Sequence, residues 1–447
     1  MSQASPLLRW LAHTACWLFY RVDQAGTAPP AGPVLFLANH ANALLDPAII
    51  WTTAGRDVRF LAKSTLFDGL FRPFLAGAGA IPVYRRKDEG VDPSRNAEMF
   101  AAVDAALREG DAVCIFPEGV SHSQGRLIAL RTGAARIVLA AEASGTRVAL
   151  VAVGLNFDRK TRFRSRVTAA YGPAFYASDL QARTPDEQRD AVRTLTDRIA
   201  VHMRQLLVEA DPGADARLVD RVDRLYSAAR GRPRQAEERI ARRQAIATGI
   251  ERMRSNDPAR YEELLFRIRR YDARLRRFRL RDRHLDMDVT ANAAAGFAAR
   301  EALLAIPLVP VALAGLVLFF VPYWLTAIAA RLATREPDVA ASAKVIAGSI
   351  IYALWIVGAI ALAWLWKGPV AAAITGIALP LTAVASLFAV ERESAVIDAI
   401  RAWIAIRRAR FGAGLLRQRR SELADVLDEA YAWVTSQASD PMASARS

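Results

Sequence analysis

Cysteine is nearly absent: the 447 residues contain two, Cys16 and Cys114. Two thiols do not make a disulfide framework. Cys114 falls in an apolar, strand-like run and reads as core. No Cys/His cluster with zinc-ligand spacing occurs among the five histidines, which leaves a metal site without support. No G-x-S-x-G segment is present, which excludes a lipid-acting serine hydrolase of the nucleophile-elbow type. Ser121 and Ser123 around His122 do not build that elbow. No recognised nucleic-acid module accompanies the positive charge, so a nucleic-acid partner is not expected. The N-terminus lacks a convincing signal peptide. Arg9 is its lone early cation, His13 interrupts the apolar run, and no small-residue cleavage site follows cleanly.

What the chain does carry is arginine and long apolar stretches. Lys and Arg total 60 against 45 Asp and Glu, a formal net charge of +15, and lysine is rare. Hydrophobic residues make up 53% and concentrate towards the C-terminal end. Surplus arginine suits nucleic acid, anionic headgroups or acidic substrates. Long uncharged stretches in the same chain favour the lipid surface.

Taken in order, Leu7, Trp10, Leu11, Thr14, Trp17 and Leu18 lie on one helical stripe. Residues 1–27 thus read as an amphipathic helix, either on a membrane with Trp at headgroup depth or packed on its own domain. A Pro/Gly/Ala linker, Gln24 to Pro33, follows. Strand-like runs then alternate with helical ones to about residue 175. The strand candidates are Val34–Ala38, Val58–Leu61, Ala80–Val83, Ala112–Phe116, Val148–Leu155 and Val167–Tyr171. Pro93–Glu109 and Gly133–Ala143 are helical. The alternation predicts an α/β domain with a mixed or largely parallel sheet and flanking helices, and ligands gather at the carboxyl ends of such strands.

Polar residues break each apolar run at that end. Asn39 and His40 follow the first, Lys63 the second, Arg85 and Arg86 the third, and Glu118, Gly119, Ser121 and His122 the fourth. His40, with Asp46 a short loop away, forms a candidate base and orienter. Six residues of regular helix would put the two on different faces, so they meet only if the intervening segment is irregular. Singly, each residue has a plain reading as loop, turn or solvated strand end. Together, a base, cations and a Glu-Gly turn on one rim suit transfer onto a hydroxyl of a phosphorylated substrate.

Four blocks carry a resemblance: NHANALLDP, GAIPVYR, FPEGVSHS and VALVAVGLNF. In this order they resemble the phospholipid/glycerol acyltransferase (PlsC-like) family, over roughly residues 30 to 210. Five residues separate His40 from Asp46 where that family commonly has four. This spacing resembles the branch containing fungal-type glycerol-3-phosphate and dihydroxyacetone-phosphate acyltransferases. Ala152 stands where the fourth block usually has Pro. The resemblance implies that His40 is the general base and Asp46 its orienter. It gives Arg85 the acceptor phosphate, and Glu118 and Gly119 the polyol. Asn42 is a further substrate-binding candidate, and Lys63 a phosphate candidate by position. It implies acyl transfer from acyl-CoA or acyl carrier protein to glycerol-3-phosphate or 1-acylglycerol-3-phosphate, with no cofactor beyond that co-substrate. The alternative is a non-catalytic membrane protein that keeps the fold for lipid or partner binding.

The acyltransferase domain is expected over residues 28–210, closed by a helix from Asp186 to Glu209. A basic helical region, 211–300, reads as a hairpin broken near Gly231-Arg232-Pro233 and Asp257-Pro258, serving as a lipid-binding arm or as a soluble cover. The membrane region, 301–390, contains spans 345–366 and 370–390 joined by Lys367-Gly368-Pro369. Ala302–Ala330, with Pro307, Pro310 and Pro322, is expected to be re-entrant. An even number of crossings would leave both Arg-rich flanks on the cytoplasmic side; three crossings is the alternative. Residues 391–447 form a C-terminal helix and tail. The expected setting is a multi-pass protein of a cell inner membrane with its catalytic domain in the cytoplasm and the phospholipid bilayer as its partner.

Overall fold

The computed structural model describes residues 5–68, 72–84, 95–180, 184–211, 214–278, 280–286, 291–333, 337–408 and 410–438. The chain divides into two compact units. The first comprises Met1–Arg217, Pro233–Gln244 and Thr334–Val345; the second comprises Leu218–Arg232, Ala245–Ala333 and Ile346–Ser447.

The first unit opens with α1 (Pro6–Phe19) and β1 (Tyr20–Ala25). It continues through β2 (Val34–Ala38), α2 (Leu45–Thr53), β3 (Val58–Lys63), α3 (Arg72–Gly77) and β4 (Ile81–Val83). Then come α4 (Asn96–Arg108), β5 (Ala112–Ile115), α5 (Gly133–Ala143), β6 (Ala149–Phe157), β7 (Ser165–Tyr171) and α6 (Pro185–Arg204). The seven strands form one sheet in the order β1-β7-β6-β2-β5-β3-β4. Every neighbouring pair is parallel except the antiparallel β6–β7 hairpin. This is the mixed sheet with flanking helices that the alternation of runs predicts.

Central parallel strands are buried on both faces, which is why Val34–Ala38 is apolar without interruption. Its side chains alternate between two cores. Val34, Phe36 and Ala38 join Ile49, Ile50 and Trp51 of α2 on one face. Leu35 and Leu37 join Val103 and Leu107 of α4, Ile137 and Val138 of α5, and Leu195 of α6 on the other. A period of two in the strand therefore sorts the helices onto opposite sides of the sheet.

Two features depart from the sequence reading. Residues 20–25, expected within the N-terminal helix, form the edge strand β1, paired in parallel with β7. Arg21, Asp23 and Gln24 make it polar, as befits a sheet edge, and so it lacks a strand signature. Helix α1 also has two working faces. Ala12, Cys16 and Phe19 pack into the core with Leu8 beside them. The expected stripe, by contrast, remains exposed, with Trp10 at 61% and Trp17 at 46%. Packing on its own domain thus occupies one face of this helix, and the Trp-bearing face lies opposite.

The helices that follow are α7 (Ala214–Arg230), α8 (Ala236–Asn256) and α9 (Pro258–Arg277). These are three helices rather than a hairpin, and the breaks fall at the anticipated Gly/Pro and Asp-Pro sites. Asp257 caps α9 by accepting the Arg260 N–H at 3.0 Å. Leu264, Ile268 and Leu275 form the buried face of α9. Within the second unit, Arg221 reaches Asp272 at 2.6 Å and Asp282 at 2.7 Å, and the Tyr271 hydroxyl donates to Asp282 at 2.9 Å.

The C-terminal region consists of α10 (Ala291–Ala333), α11 (Pro337–Lys367), α12 (Pro369–Arg408) and α13 (Arg410–Ala438). Among the described residues, three stretches are long and apolar enough to cross a membrane: Val309–Leu332, Ser342–Lys367 and Pro369–Ser386. The two expected spans thus recur with shifted ends. The stretch Ala302–Ala330, expected to be re-entrant, lies within the single helix α10. Apolar helices tolerate proline where neighbours and side chains re-satisfy the freed backbone groups. Helix α12 packs closely on α10. A Cβ on Gly315 would collide with Ser386, whose hydroxyl lies 2.9 Å from the Val311 carbonyl and 2.6 Å from that of Thr382. Small residues permit such close helix approach.

Candidate active site

Strands β6, β2, β5, β3 and β4 run parallel, so their carboxyl ends share one edge of the sheet. After β2 the chain turns to α2, on one face. After the adjacent β5 it proceeds to α5, on the other face. Neighbouring strands whose connections leave to opposite faces open a crevice between them, the place where open α/β sheets bind ligands. His40 and Asp46 stand on the β2 side of this crevice; Phe116, Glu118 and Gly119 stand on the β5 side.

The irregular segment that the spacing requires is present, and it brings the pair together. His40 Nδ1 lies 2.9 Å from Asp46 Oδ2. The Asp46 side chain is fully buried, whereas His40 keeps 17% of its side-chain surface exposed. Asp46 occupies the first turn of α2, where the helix dipole favours negative charge. The same Asp46 oxygen accepts the Asn42 N–H at 2.6 Å. Between the two, Ala43 has a left-handed φ of +42°. For a residue with a Cβ this conformation costs about 1–2 kcal/mol. Its N–H donates to Ser121 Oγ at 3.2 Å.

The His40 ring stacks on Phe116 at 4.2 Å between centroids and 18° between planes. With the Nδ1 proton held by Asp46, Nε2 carries the lone pair. Among the described residues no group pairs with Nε2, so this atom can accept a proton from a substrate.

Glu118 lies directly behind the histidine. Its side chain is fully buried. One oxygen accepts the His40 N–H at 2.8 Å. The other meets His122 Nε2 and accepts the Ile128 N–H at 3.3 Å. The His122 N–H in turn donates to the His40 carbonyl at 3.0 Å. Gly119 turns the chain at φ +73°, a conformation that suits glycine, and its N–H donates to the Phe116 carbonyl at 3.0 Å.

Asn42, expected as a further substrate contact, faces the protein interior. It is fully buried, and its amide donates to the Tyr20 hydroxyl at 2.7 Å. Burial, foremost, pushes the Tyr20 phenol above its ordinary range, so it stays protonated and donates to the Lys160 carbonyl. Lys63 closes β3, half-buried, in register with Val83 of β4. Arg85, like Arg86, lies outside the described residues; it is two positions past the end of β4. That strand stands three places from β2 in the sheet, or ~14 Å at the usual strand spacing.

Several contacts around the pair escaped the sequence reading. The Asn39 side chain brackets Leu155 of β6, accepting its N–H at 2.7 Å and donating to its carbonyl at 3.2 Å. Ala152, in place of the usual proline, continues β6, and its carbonyl accepts the Gly172 N–H at 3.0 Å. Tyr20 and Ser121 support the loop from outside the histidine block. The order of blocks gives no signal for any of these contacts.

Comparison with known proteins finds acyltransferases. Residues 20–155 match the family model described as Acyltransferase. Glycerol-3-phosphate O-acyltransferase 1 of Saccharomyces cerevisiae is 28% identical over 199 residues, which cover 43% of this chain and 26% of that protein. Glycerol-3-phosphate O-acyltransferase 2 of the same yeast is 30% identical over 134 residues, covering 29% and 18%. The alignments thus span about a quarter or less of the length of these curated relatives. A crystal structure of the 1-acyl-sn-glycerophosphate acyltransferase PlsC from Thermotoga maritima aligns at 16% identity with a TM-score of 0.31, over 44% of this chain and 79% of that one. Residues 20–155, which hold the blocks quoted above, thus resemble an acyltransferase domain, and the chain is similar there to the yeast glycerol-3-phosphate O-acyltransferases.

Proposed function

We propose that the protein transfers an acyl group from acyl-CoA or acyl carrier protein to a hydroxyl of glycerol-3-phosphate or 1-acylglycerol-3-phosphate. The observation that carries this reading is the 2.9 Å contact of His40 Nδ1 with the buried Asp46, with Nε2 left to face a substrate. Nε2 takes the proton of the acceptor hydroxyl. The oxygen attacks the thioester carbonyl carbon, and the carbon–sulfur bond of the tetrahedral intermediate breaks. The departing thiolate recovers the proton from the imidazolium, which Asp46 stabilises meanwhile. No acyl-enzyme forms. Arg85, and Lys63 on position, hold the acceptor phosphate; Gly119 permits close backbone approach to the polyol.

The test is thiol release from acyl-CoA in washed membranes containing the full chain, with glycerol-3-phosphate, 1-acylglycerol-3-phosphate or dihydroxyacetone phosphate added. Acceleration by one of them is expected, and it identifies the acceptor. Silence with all three acceptors and both donors favours the non-catalytic, lipid-binding alternative.

Arg85→Ala is expected to raise the apparent KM for the phosphorylated acceptor roughly 10- to 100-fold, the worth of a hydrogen bond to a charged group, with kcat nearly unchanged. Initial rates across acceptor concentrations check this. A loss of turnover at saturating acceptor, with KM intact, argues against the phosphate role.

The protein sits in a membrane, in this reading with the ends of its apolar region on one side. Asp286 precedes the three apolar helices and Arg420 follows them, and the two are bonded, with Arg420 Nη1 at 2.8 Å from Asp286 Oδ2. Bonded groups share one side of a bilayer, which supports an even number of crossings between them. The native thiols provide a silent background for a labelling test. Both are buried; burial pushes Cys16 up to about 12 and Cys114 well above its ordinary value, so neither forms a reactive thiolate at neutral pH. Cysteines placed singly at Ser255 and Ser436 are expected to react with an impermeant maleimide from the same side of sealed vesicles. Reaction from opposite sides establishes an odd count.

A further inference from the structure

The loop between His40 and Asp46 is held from a place far outside the family match. Ser342 lies in α11, some 300 residues further along the chain, in the part of that helix that belongs to the first unit. Its hydroxyl donates to the Asn42 carbonyl at 3.1 Å, and the residue is 1% exposed. A buried helical serine commonly turns its hydroxyl back on its own helix; this one is committed to the catalytic loop instead.

The placement of that bond gives it consequence. Asn42 offers its N–H to the Asp46 oxygen that also holds His40 Nδ1. Its carbonyl faces Ser342 and the Leu45 N–H, the latter at 3.0 Å. The next residue is the left-handed Ala43. A strained conformation persists only where its surroundings over-determine it. Ser121 fixes the Ala43 N–H and Tyr20 fixes the Asn42 amide; Ser342 fixes the peptide carbonyl between them. The serine is itself anchored. Two residues on, Lys344 Nζ donates to the Thr161 carbonyl at 3.3 Å, and Val345 packs on the core that contains Ile49 and Trp51.

We propose that Ser342 is a positioning residue for acyl transfer, holding the Asn42 peptide so that Asp46 keeps His40 Nδ1 in register. The proposal rests on the reading of His40 and Asp46 as base and orienter. It makes the transfer step depend on the first turns of a helix whose apolar run, Ser342–Lys367, is long enough to cross a membrane.

The test uses the full chain in native membranes, with Ser342→Ala and Ser342→Thr compared with the wild type by two readouts. The first is steady-state kinetics. Ser342→Ala is expected to lower kcat roughly 3- to 10-fold, the worth of one neutral hydrogen bond, with both KM values within about twofold because the serine touches neither substrate. The second is the rate of carbethoxylation of His40 by diethyl pyrocarbonate, read by peptide mass. It is expected to rise about threefold as the ring loosens from its carboxylate. Ser342→Thr, which keeps the hydroxyl, restores both values. Wild-type behaviour of Ser342→Ala in both readouts overturns the proposal. Equal impairment of Ser342→Thr also overturns it, since that outcome assigns the effect to packing. Should the wild type transfer no acyl group to any acceptor, the functional reading fails separately, and the carbethoxylation rates still decide whether Ser342 holds the loop.

Discussion

Replacing His40 with alanine is expected to lower acyl transfer by roughly 10²–10⁴-fold, the range for removal of a general base, while the protein remains folded and inserted. The fold survives because the backbone of His40 bears the structural load. Its N–H is taken by Glu118 and its carbonyl by the His122 N–H, and neither contact needs the imidazole. What alanine removes is the ring, its stack on Phe116 and its hydrogen bond to Asp46. The last of these leaves a buried carboxylate with the Asn42 N–H on one oxygen, which costs about 1–3 kcal/mol. His40→Asn separates that cost from the chemistry. Its side-chain amide reaches the position of Nδ1 and donates to Asp46, yet it has no basic lone pair to offer a hydroxyl. Both variants should therefore lose transfer alike, and His40→Asn should regain the thermal stability that His40→Ala gives up. The measurement is thiol release at saturating donor and acceptor, alongside melting followed by protease resistance. Near-normal turnover in His40→Asn would show that the hydroxyl loses its proton elsewhere.

The sequence showed this site unevenly, and the reasons are physical. Strands β2 and β5 were legible because a strand buried on both faces has to be apolar throughout, and their ends were legible because polar residues interrupt those runs. Strand β1 was not, since a polar edge strand carries no such mark. The partnership of His40 with Asp46 was a question of backbone path. It turns on the left-handed Ala43, and alanine gives no warning of that conformation. Ser342 was invisible for a different reason. A contact across 300 residues leaves no local pattern, and a serine in an apolar helix looks the same whether it bonds its own turn or a distant loop. For α10 the three prolines suggested interruptions of the helix, whereas it continues through them, packed against α12.

Glu118 carries the second large effect. The family resemblance assigns it to the polyol, but the structure occupies both its oxygens with protein groups: the His40 N–H on one, His122 and the Ile128 N–H on the other. A fully buried carboxylate with these partners is expected to act through His40, by fixing the height of the histidine above the sheet edge. Glu118→Ala strands two buried N–H groups at about 1–3 kcal/mol each, a large share of the 5–15 kcal/mol typical of a folded domain. It is expected to lower the melting temperature clearly and to reduce kcat by about 10²-fold, since a displaced base forfeits positioning, with the acceptor KM moving less than about threefold. Glu118→Gln keeps an acceptor for the His40 N–H but turns an NH2 towards the Ile128 N–H or the His122 ring. It should fall between the wild type and Glu118→Ala in both melting temperature and kcat. Initial rates across acceptor concentrations, with melting of the same preparations, decide the matter. A tenfold or greater rise in acceptor KM at unchanged melting temperature would return Glu118 to the polyol. A parallel fall of kcat and stability at constant KM places it behind the histidine, as a clamp joining the loop after β5 to the loop after β2.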